Sequence, residues 1–173
     1  MLKKLIPALL ITAICLLFTG CRPEQVPQVM PAEPVSGARS YTSLEIRNCD
    51  DAGEIRHPLQ EISTVTSQVE IAQAVTALDS GAAIPLPAEL QTELAEQVRQ
   101  TYQPELEAAQ AQVAETELVV PHPLIRRFFI YMHEKTWSGV ISLEIDGQAC
   151  EAAYTYRLST PYINDYRDTA CTA

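Results

Sequence analysis

The dipeptide Asp146-Gly147 constrains the fold of this 173-residue chain more than any other feature of its sequence. It lies between residues 140–145 and 148–158, which are rich in apolar and β-forming side chains, and Asp-Gly in that setting predicts a two-residue hairpin turn. Such a turn fixes the strand register and places Leu143 opposite Cys150. One face of the hairpin is then predicted to be core, and it carries Ile141, Leu143, Cys150, Tyr154, Tyr156 and Leu158.

Apolar periodicity predicts one main helix, from Pro87 to about Tyr102. Proline suits the first helical turn, Glu89 suits its positive end, and apolar residues recur every fourth position afterwards. A weaker helix is predicted over 105–114. Strands are predicted from Tyr41 to Cys49, over 117–120 and over 124–134, while 54–71 favours a strand but is compatible with a helix. Residues 159–171 are predicted to be irregular.

The chain has 47% hydrophobic and 20% charged residues, which is enough for one ordinary core and no second large domain. We therefore expect a single domain over residues 41–173. Its predicted fold class is α+β, an antiparallel β-meander packed against one main amphipathic helix.

The first twenty residues have the form of an export signal. Met1-Leu2-Lys3-Lys4 is a short basic segment, and residues 5–18 form a nearly unbroken apolar stretch. This stretch is shorter than the roughly 20 apolar residues that a membrane-spanning helix needs. Residues 1–20 are therefore predicted to be a signal peptide that is removed on export.

The segment Leu17-Phe18-Thr19-Gly20-Cys21 resembles the lipobox of bacterial lipoproteins, with an apolar residue three positions before the cysteine and small residues between. The resemblance implies cleavage between Gly20 and Cys21 and attachment of diacylglycerol to the Cys21 sulfur. Because Arg22 follows, it implies outer-membrane sorting where the cell has an outer membrane, and otherwise the outer face of the cytoplasmic membrane. The alternative is an ordinary secretory peptide cut elsewhere, which leaves Cys21 as a thiol or a disulfide partner.

Residues 21–40 are predicted to be the lipidated cysteine followed by an extended tether. Pro23, Pro27, Pro31 and Pro34 recur through it, and polyproline II geometry would allow a reach of roughly 60 Å. Removing Lys3 and Lys4 leaves 10 basic against 22 acidic residues, a net charge of -12. Such a chain is repelled by nucleic acid and by anionic membrane surfaces, so the expected partner is the bilayer through acylated Cys21.

Three cysteines remain in the exported domain: Cys49, Cys150 and Cys171. An oxidising compartment predicts one disulfide and one spare thiol. Hairpin register points Cys150 inward, so the favoured pair is Cys49 with Cys171, and Cys150 bonded to either of them stays an alternative.

Motifs for catalysis, metals and cofactors are weak. His133-Glu134-Lys135-Thr136-Trp137 begins like the zinc-protease helix motif but has Trp137 where the second histidine must stand. Asp50, Asp51 and Glu54 match turn chemistry better than a calcium loop. The sequence therefore predicts no cofactor, no metal and no catalytic set.

A cluster of aromatic residues supplies the ligand hypothesis. Trp137, Tyr162 and Tyr166, with Tyr154, Tyr156, Arg157 and Arg167 beside them, are candidates for a stacking surface that binds cell-wall glycan or an envelope protein. The alternative is that Tyr154 and Tyr156 fill the core while Tyr162 and Tyr166 cover the end of the sheet. The order of Asn-Cys strand, helix and terminal meander resembles that of uncharacterised exported bacterial lipoproteins, which implies no activity. The predicted function is a non-catalytic binding or structural module at the cell envelope; a hydrolase of envelope material and a subunit of a surface assembly are the alternatives.

Overall fold

The structure, a computed structural model, describes residues 27–50 and 52–172. Residues 1–26, which include the predicted signal peptide, Gly20 and Cys21, lie outside the described residues. Two helices follow each other in the middle of the chain, α1 (Ala88–Thr101) and α2 (Gln103–Ala114). The strands are β1 (Gln28–Met30), β2 (Val35–Asn48), β3 (Ile55–Pro58), β4 (Thr66–Ile71), β5 (Ala74–Ala77), β6 (Ala83–Pro85), β7 (Glu117–Val120), β8 (Leu124–Ile145) and β9 (Gln148–Ala170).

A long antiparallel hairpin of β8 and β9 forms the centre of the fold. Asp146 and Gly147 make its turn with φ angles of 50° and 79°, the left-handed region that this turn type requires. The predicted register is confirmed, since Leu143 lies opposite Cys150. The predicted core face is also confirmed, because all six of its side chains are buried.

Shorter strands flank the hairpin on both sides. β1 and β2 pair with β8, β4 and β5 pair with β9, and β6 extends the sheet from β5. A separate two-stranded sheet joins β3 to β7. The two helices lie near their predicted positions, and α1 is amphipathic with Leu94 and Val98 fully buried.

The hairpin buries opposite faces in its two halves. In the turn half (residues 137–158), the face that carries Trp137, Ile141 and Tyr156 packs against α1 and the start of α2. In the open half (124–133 and 160–170), the other face carries Phe128 and Ile130 and packs against the sheet of β3 and β7. Side chains alternate along a strand, so each half has one covered and one uncovered face.

The predicted fold class is wrong. Of the described residues, 56% lie in strands and 20% are helical, a share that includes a short 3-10 helix at Leu59–Glu61. A large antiparallel sheet carries two α-helices rather than a meander carrying one. The second helix forms because Ala109 and Val113 are buried by tertiary packing despite a weak amphipathic pattern.

Two segments enter the sheet where the sequence suggested irregular chain. Residues 159–170 belong to β9 because they pair with 124–134 of β8. Pro161 is accommodated because β4 stops pairing at Ser159, so β9 is an edge strand beyond that point. Pairing at the other end begins at Gln28 rather than near Tyr41, and Pro31 and Pro34 lie in the gap between β1 and β2.

A disulfide joins Cys49 to Cys171, the pair that the sequence favoured, and Cys150 is a buried free thiol. The two cysteines follow Asn48 and Ala170, which both pair with Leu124 at the start of β8. The bond therefore connects the two outer strands just beyond the end of the central one. It closes the open half of the hairpin.

Gly139 is required by a close approach inside the sheet. A Cβ atom there would lie 2.7 Å from the Met30 carbonyl oxygen and 2.8 Å from the Tyr154 hydroxyl. These two groups are hydrogen bonded to each other at 2.9 Å, so neither can move without loss. We expect Gly139→Ala to lower the free energy of unfolding by about 1–3 kcal/mol in denaturant titrations.

Gly37→Ala is the matched control, because Gly37 also lies in a strand but a Cβ there meets nothing within 4 Å. Its free energy of unfolding should change by less than about 1 kcal/mol. Equal losses for the two variants would contradict the packing around Gly139.

The disulfide should stabilise the fold through the long loop it closes, since its cysteines are 122 residues apart. We expect Cys171→Ser to lower the free energy of unfolding by about 2–4 kcal/mol. A reductant should destabilise the wild type by a similar amount and leave the variant unchanged. An effect of the reductant on the variant would show that another thiol is responsible.

Candidate functional site

A continuous row of aromatic rings lies on the uncovered face of the open half. Centroid distances are 6.2 Å from Tyr41 to Phe129, 5.4 Å from Tyr41 to Tyr131, 5.7 Å from Tyr131 to Tyr162 and 6.4 Å from Tyr162 to His133. We call these five residues the aromatic strip. It crosses three strands, with Tyr41 on β2 and Tyr162 on β9 flanking the three rings of β8.

Strand geometry explains why these rings share a face. Phe129, Tyr131 and His133 are alternate residues of β8, so their side chains point to the same side. Tyr41 and Tyr162 are both register partners of Tyr131, which puts them beside it on that side. None of the five belongs to either hydrophobic core of the described residues, and Tyr41 is 63% exposed.

Charged groups border the strip and are largely paired with one another or with a ring. Arg127 binds Glu45 at 2.9 Å, and the Arg167 guanidinium lies 5.4 Å from the Phe129 ring centre. Both contacts lie at the exposed surface, where such pairs contribute about 1 kcal/mol or less. They keep the surface polar around the rings without giving it a field of one sign.

A pocket of about 390 Å³ adjoins the strip where α2 crosses the sheet. His133 and Tyr162 belong to both the strip and the pocket wall. Lys135 and Glu105 face each other across it at 3.8 Å. The remaining lining residues are small or uncharged: Ala108, Ala109, Gln112, Leu158 and Thr160.

The structure separates the three residues of the sequence hypothesis. Trp137 is 5% exposed and lies in the core against Tyr102 and Tyr156. Tyr166 is 50% exposed on the opposite face of β9, where its ring lies 3.8 Å from the Arg126 guanidinium. Tyr162 alone lies in the aromatic strip.

Four strip residues were missed in the sequence: Tyr41, Phe129, Tyr131 and His133. The alternation of rings at 129, 131 and 133 was a usable signal, because it marks one strand face as aromatic. The run Phe-Phe-Ile-Tyr-Met around it resembles a strand buried on both faces, which concealed that one face is uncovered.

Tyr154 and Tyr156 lie on the sheet face that the helices cover, and they belong to the hydrophobic core. The Tyr154 hydroxyl donates to the Met30 carbonyl and contacts the Tyr102 hydroxyl at 2.8 Å. Burial, and then the Tyr102 hydrogen bond, raises the pKa of Tyr154, and burial also raises the pKa of Tyr156. These phenols stay neutral and serve packing.

Arg126 lies at the same end of the sheet as the aromatic strip but on the opposite face. It forms a two-pronged pair with Asp168 at 2.6 and 2.7 Å and donates to the Val119 carbonyl. The hydrogen bond from Arg126 lowers the pKa of Asp168. The pair therefore belongs to the support beneath the strip and leaves no free charge there.

Trp137 is the single tryptophan of the chain, so its fluorescence reports its surroundings. Because it is buried, we expect a blue-shifted emission and acrylamide quenching several-fold weaker in the native protein than in guanidinium. Native quenching equal to that of the unfolded chain would place Trp137 at the surface, contrary to the structure.

Among the described residues, no helix is long and apolar enough to cross a membrane. The same residues contain no group of three or more histidine, cysteine or acidic side chains that could hold a metal ion. Comparison of the chain with protein-family models, curated proteins and solved structures finds no match.

Proposed function

We propose that the protein is an exported, lipid-anchored binding module of the bacterial cell envelope, held by acyl chains on Cys21. The observation that carries the binding role is the aromatic strip, a continuous row of rings that belongs to neither hydrophobic core. Tyrosine rings combine an apolar face with a hydroxyl at the tip, and such rings are enriched at interaction surfaces.

Export is supported independently of the N-terminal residues by the bond between Cys49 and Cys171. Structural disulfides persist in oxidising compartments and are rare where glutathione keeps thiols reduced. An extracytoplasmic location fits this chemistry and the form of the signal peptide.

Lipid attachment explains how so acidic a chain is held at a membrane. A net charge of -12 after signal removal opposes adsorption to anionic headgroups, so two or three acyl chains must supply the binding. Strand pairing begins at Gln28, so the chain from Cys21 to that residue reaches roughly 25 Å at most. The domain is thus held close to the bilayer.

Binding is favoured over hydrolysis by the composition of the pocket. A glycoside hydrolase works with two carboxylates that flank the scissile bond. Among the described residues that line the pocket, Glu105 is the only carboxylate, and Lys135 lies 3.8 Å from it. This arrangement can hold a ligand but lacks the second acid.

A role as a subunit of a surface assembly is supported by the outer edge of β2. In the described part of the chain this strand of 14 residues pairs with β8 alone. A long unpaired strand edge is a template for another strand. Sedimentation of the purified protein separates the binding module from the assembly subunit. A subunit that pairs its β2 edge with a second copy would self-associate, whereas a binding module would sediment as a monomer.

The anchor is tested by palmitate labelling and fractionation of cells that express the full chain. We expect Cys21→Ala to abolish the acyl label and to leave the protein uncleaved or released. Cys15→Ala is the matched control, because Cys15 lies in the same segment and should have no effect. A Cys21→Ala protein that keeps its label, or a mature form that stays membrane-bound without label, would overturn the proposal.

A further inference from the structure

We infer that the aromatic strip binds a linear, uncharged stretch of cell-wall glycan. This inference rests on the proposed function and names its ligand.

The strip has the shape of a shallow track. Phe129, Tyr131 and His133 span about 13 Å along β8, because strand residues rise about 3.3 Å each. Adjacent ring centres lie 5.4 to 6.4 Å apart with interplanar angles of 31° to 87°, so each ring contacts the next in a continuous row that is not flat. A ligand of two or three sugar rings in an extended chain matches this length.

The chemistry of the strip matches a sugar better than a lipid. Three of its five rings are tyrosines, which offer an apolar face and a hydroxyl at the tip. A pyranose likewise has faces of C–H groups that pack on rings and hydroxyls around its rim. An acyl chain would leave these phenolic hydroxyls without partners.

Charge favours an uncharged ligand. Beside the strip, Arg127 is paired with Glu45, Lys135 is paired with Glu105, and the Arg167 guanidinium lies over the Phe129 ring of the strip itself. The acidic chain as a whole repels polyanions such as phosphate-linked polymers. A neutral sugar needs no unpaired cation on the protein and is not repelled by the net negative charge of the chain.

The size of the strip argues against a protein partner. Three strands about 4.8 Å apart and a length of about 13 Å give a footprint of roughly 200 Å². A stable protein interface buries about 800 Å² on each partner. The strip is therefore large enough for an oligosaccharide and too small to hold a folded protein by itself.

The position of the strip points its ligand away from the bilayer. The chain from Cys21 enters the sheet at β1, which pairs with residues 140–142 of β8 near the hairpin turn. Tyr131 lies about 33 Å farther along the same strand. An anchor at one end and a strip at the other would present the strip to wall polymer rather than to lipid headgroups.

The pocket can take a substituent of the same glycan. It shares His133 and Tyr162 with the strip and adds Gln112 and Thr160 as hydrogen-bonding groups. Its volume of about 390 Å³ lies within the usual range for small ligands. A sugar at the end of the strip would place a side group such as an acetamide there.

The test uses the full lipidated chain in detergent micelles and two probes, purified peptidoglycan sacculi in a pelleting assay and a soluble N-acetylglucosamine hexamer in calorimetry. The variants Tyr41→Ala, Tyr131→Ala and Tyr162→Ala should each weaken binding roughly tenfold, since each removes one ring contact. Tyr41→Ala guards against misfolding, because that side chain is 63% exposed.

Tyr166→Ala is the matched control, because Tyr166 is an exposed tyrosine of β9, the strand that carries Tyr162, but lies on the other face of the sheet. It should keep affinity within about twofold of the wild type. If the three strip variants bound both probes as tightly as the Tyr166→Ala control and the wild type, the inference would be overturned.

A third probe, whole envelope fragments before and after protease treatment, separates the two proposals. Binding to fragments that protease abolishes, with none to sacculi or hexamer, would overturn the glycan ligand and leave the binding module standing. Binding to none of the three probes would overturn both.

Discussion

Pairing between β8 and β9 is the interaction on which the rest of the structure depends. These two strands are the longest in the fold, and every other strand of the main sheet pairs with one of them or with a strand that does. The left-handed turn at Asp146 and Gly147 fixes their register, and a slip of one residue would exchange the core face for the solvent face along the turn half. The helices, the second sheet and the disulfide all take their positions from this hairpin.

The aromatic strip follows from how the two halves of the hairpin are covered. The helices cover one face of the turn half, and β3 with β7 cover the opposite face of the open half. The sheet face that the helices cover in the turn half therefore continues uncovered into the open half, and Tyr131 and Phe129 lie on this uncovered part. α2 crosses the sheet at this boundary, which is why the pocket lies at one end of the strip.

The support beneath the strip comes from the other face and from the end of the sheet. Phe128 and Ile130 pack below it, Arg126 ties β9 to β7 through Asp168 and the Val119 carbonyl, and the disulfide joins the outer strands. These contacts hold β2, β8 and β9 together as one surface at this end of the sheet. Rings held on rigid strands would lose little conformational entropy if the proposed ligand bound them.

Local rules in the sequence determined the hairpin register, its buried face and the helix after Pro87. Each depends on neighbouring residues alone: a turn dipeptide, strand alternation or four-residue periodicity. Only the tertiary structure decided that residues 159–170 form a strand, that α2 is stable, and that Trp137 is buried while Tyr131 is not. Those outcomes depend on which segments pack over which face. The alternation of rings at 129, 131 and 133 marks one strand face as aromatic but does not show whether another segment covers that face.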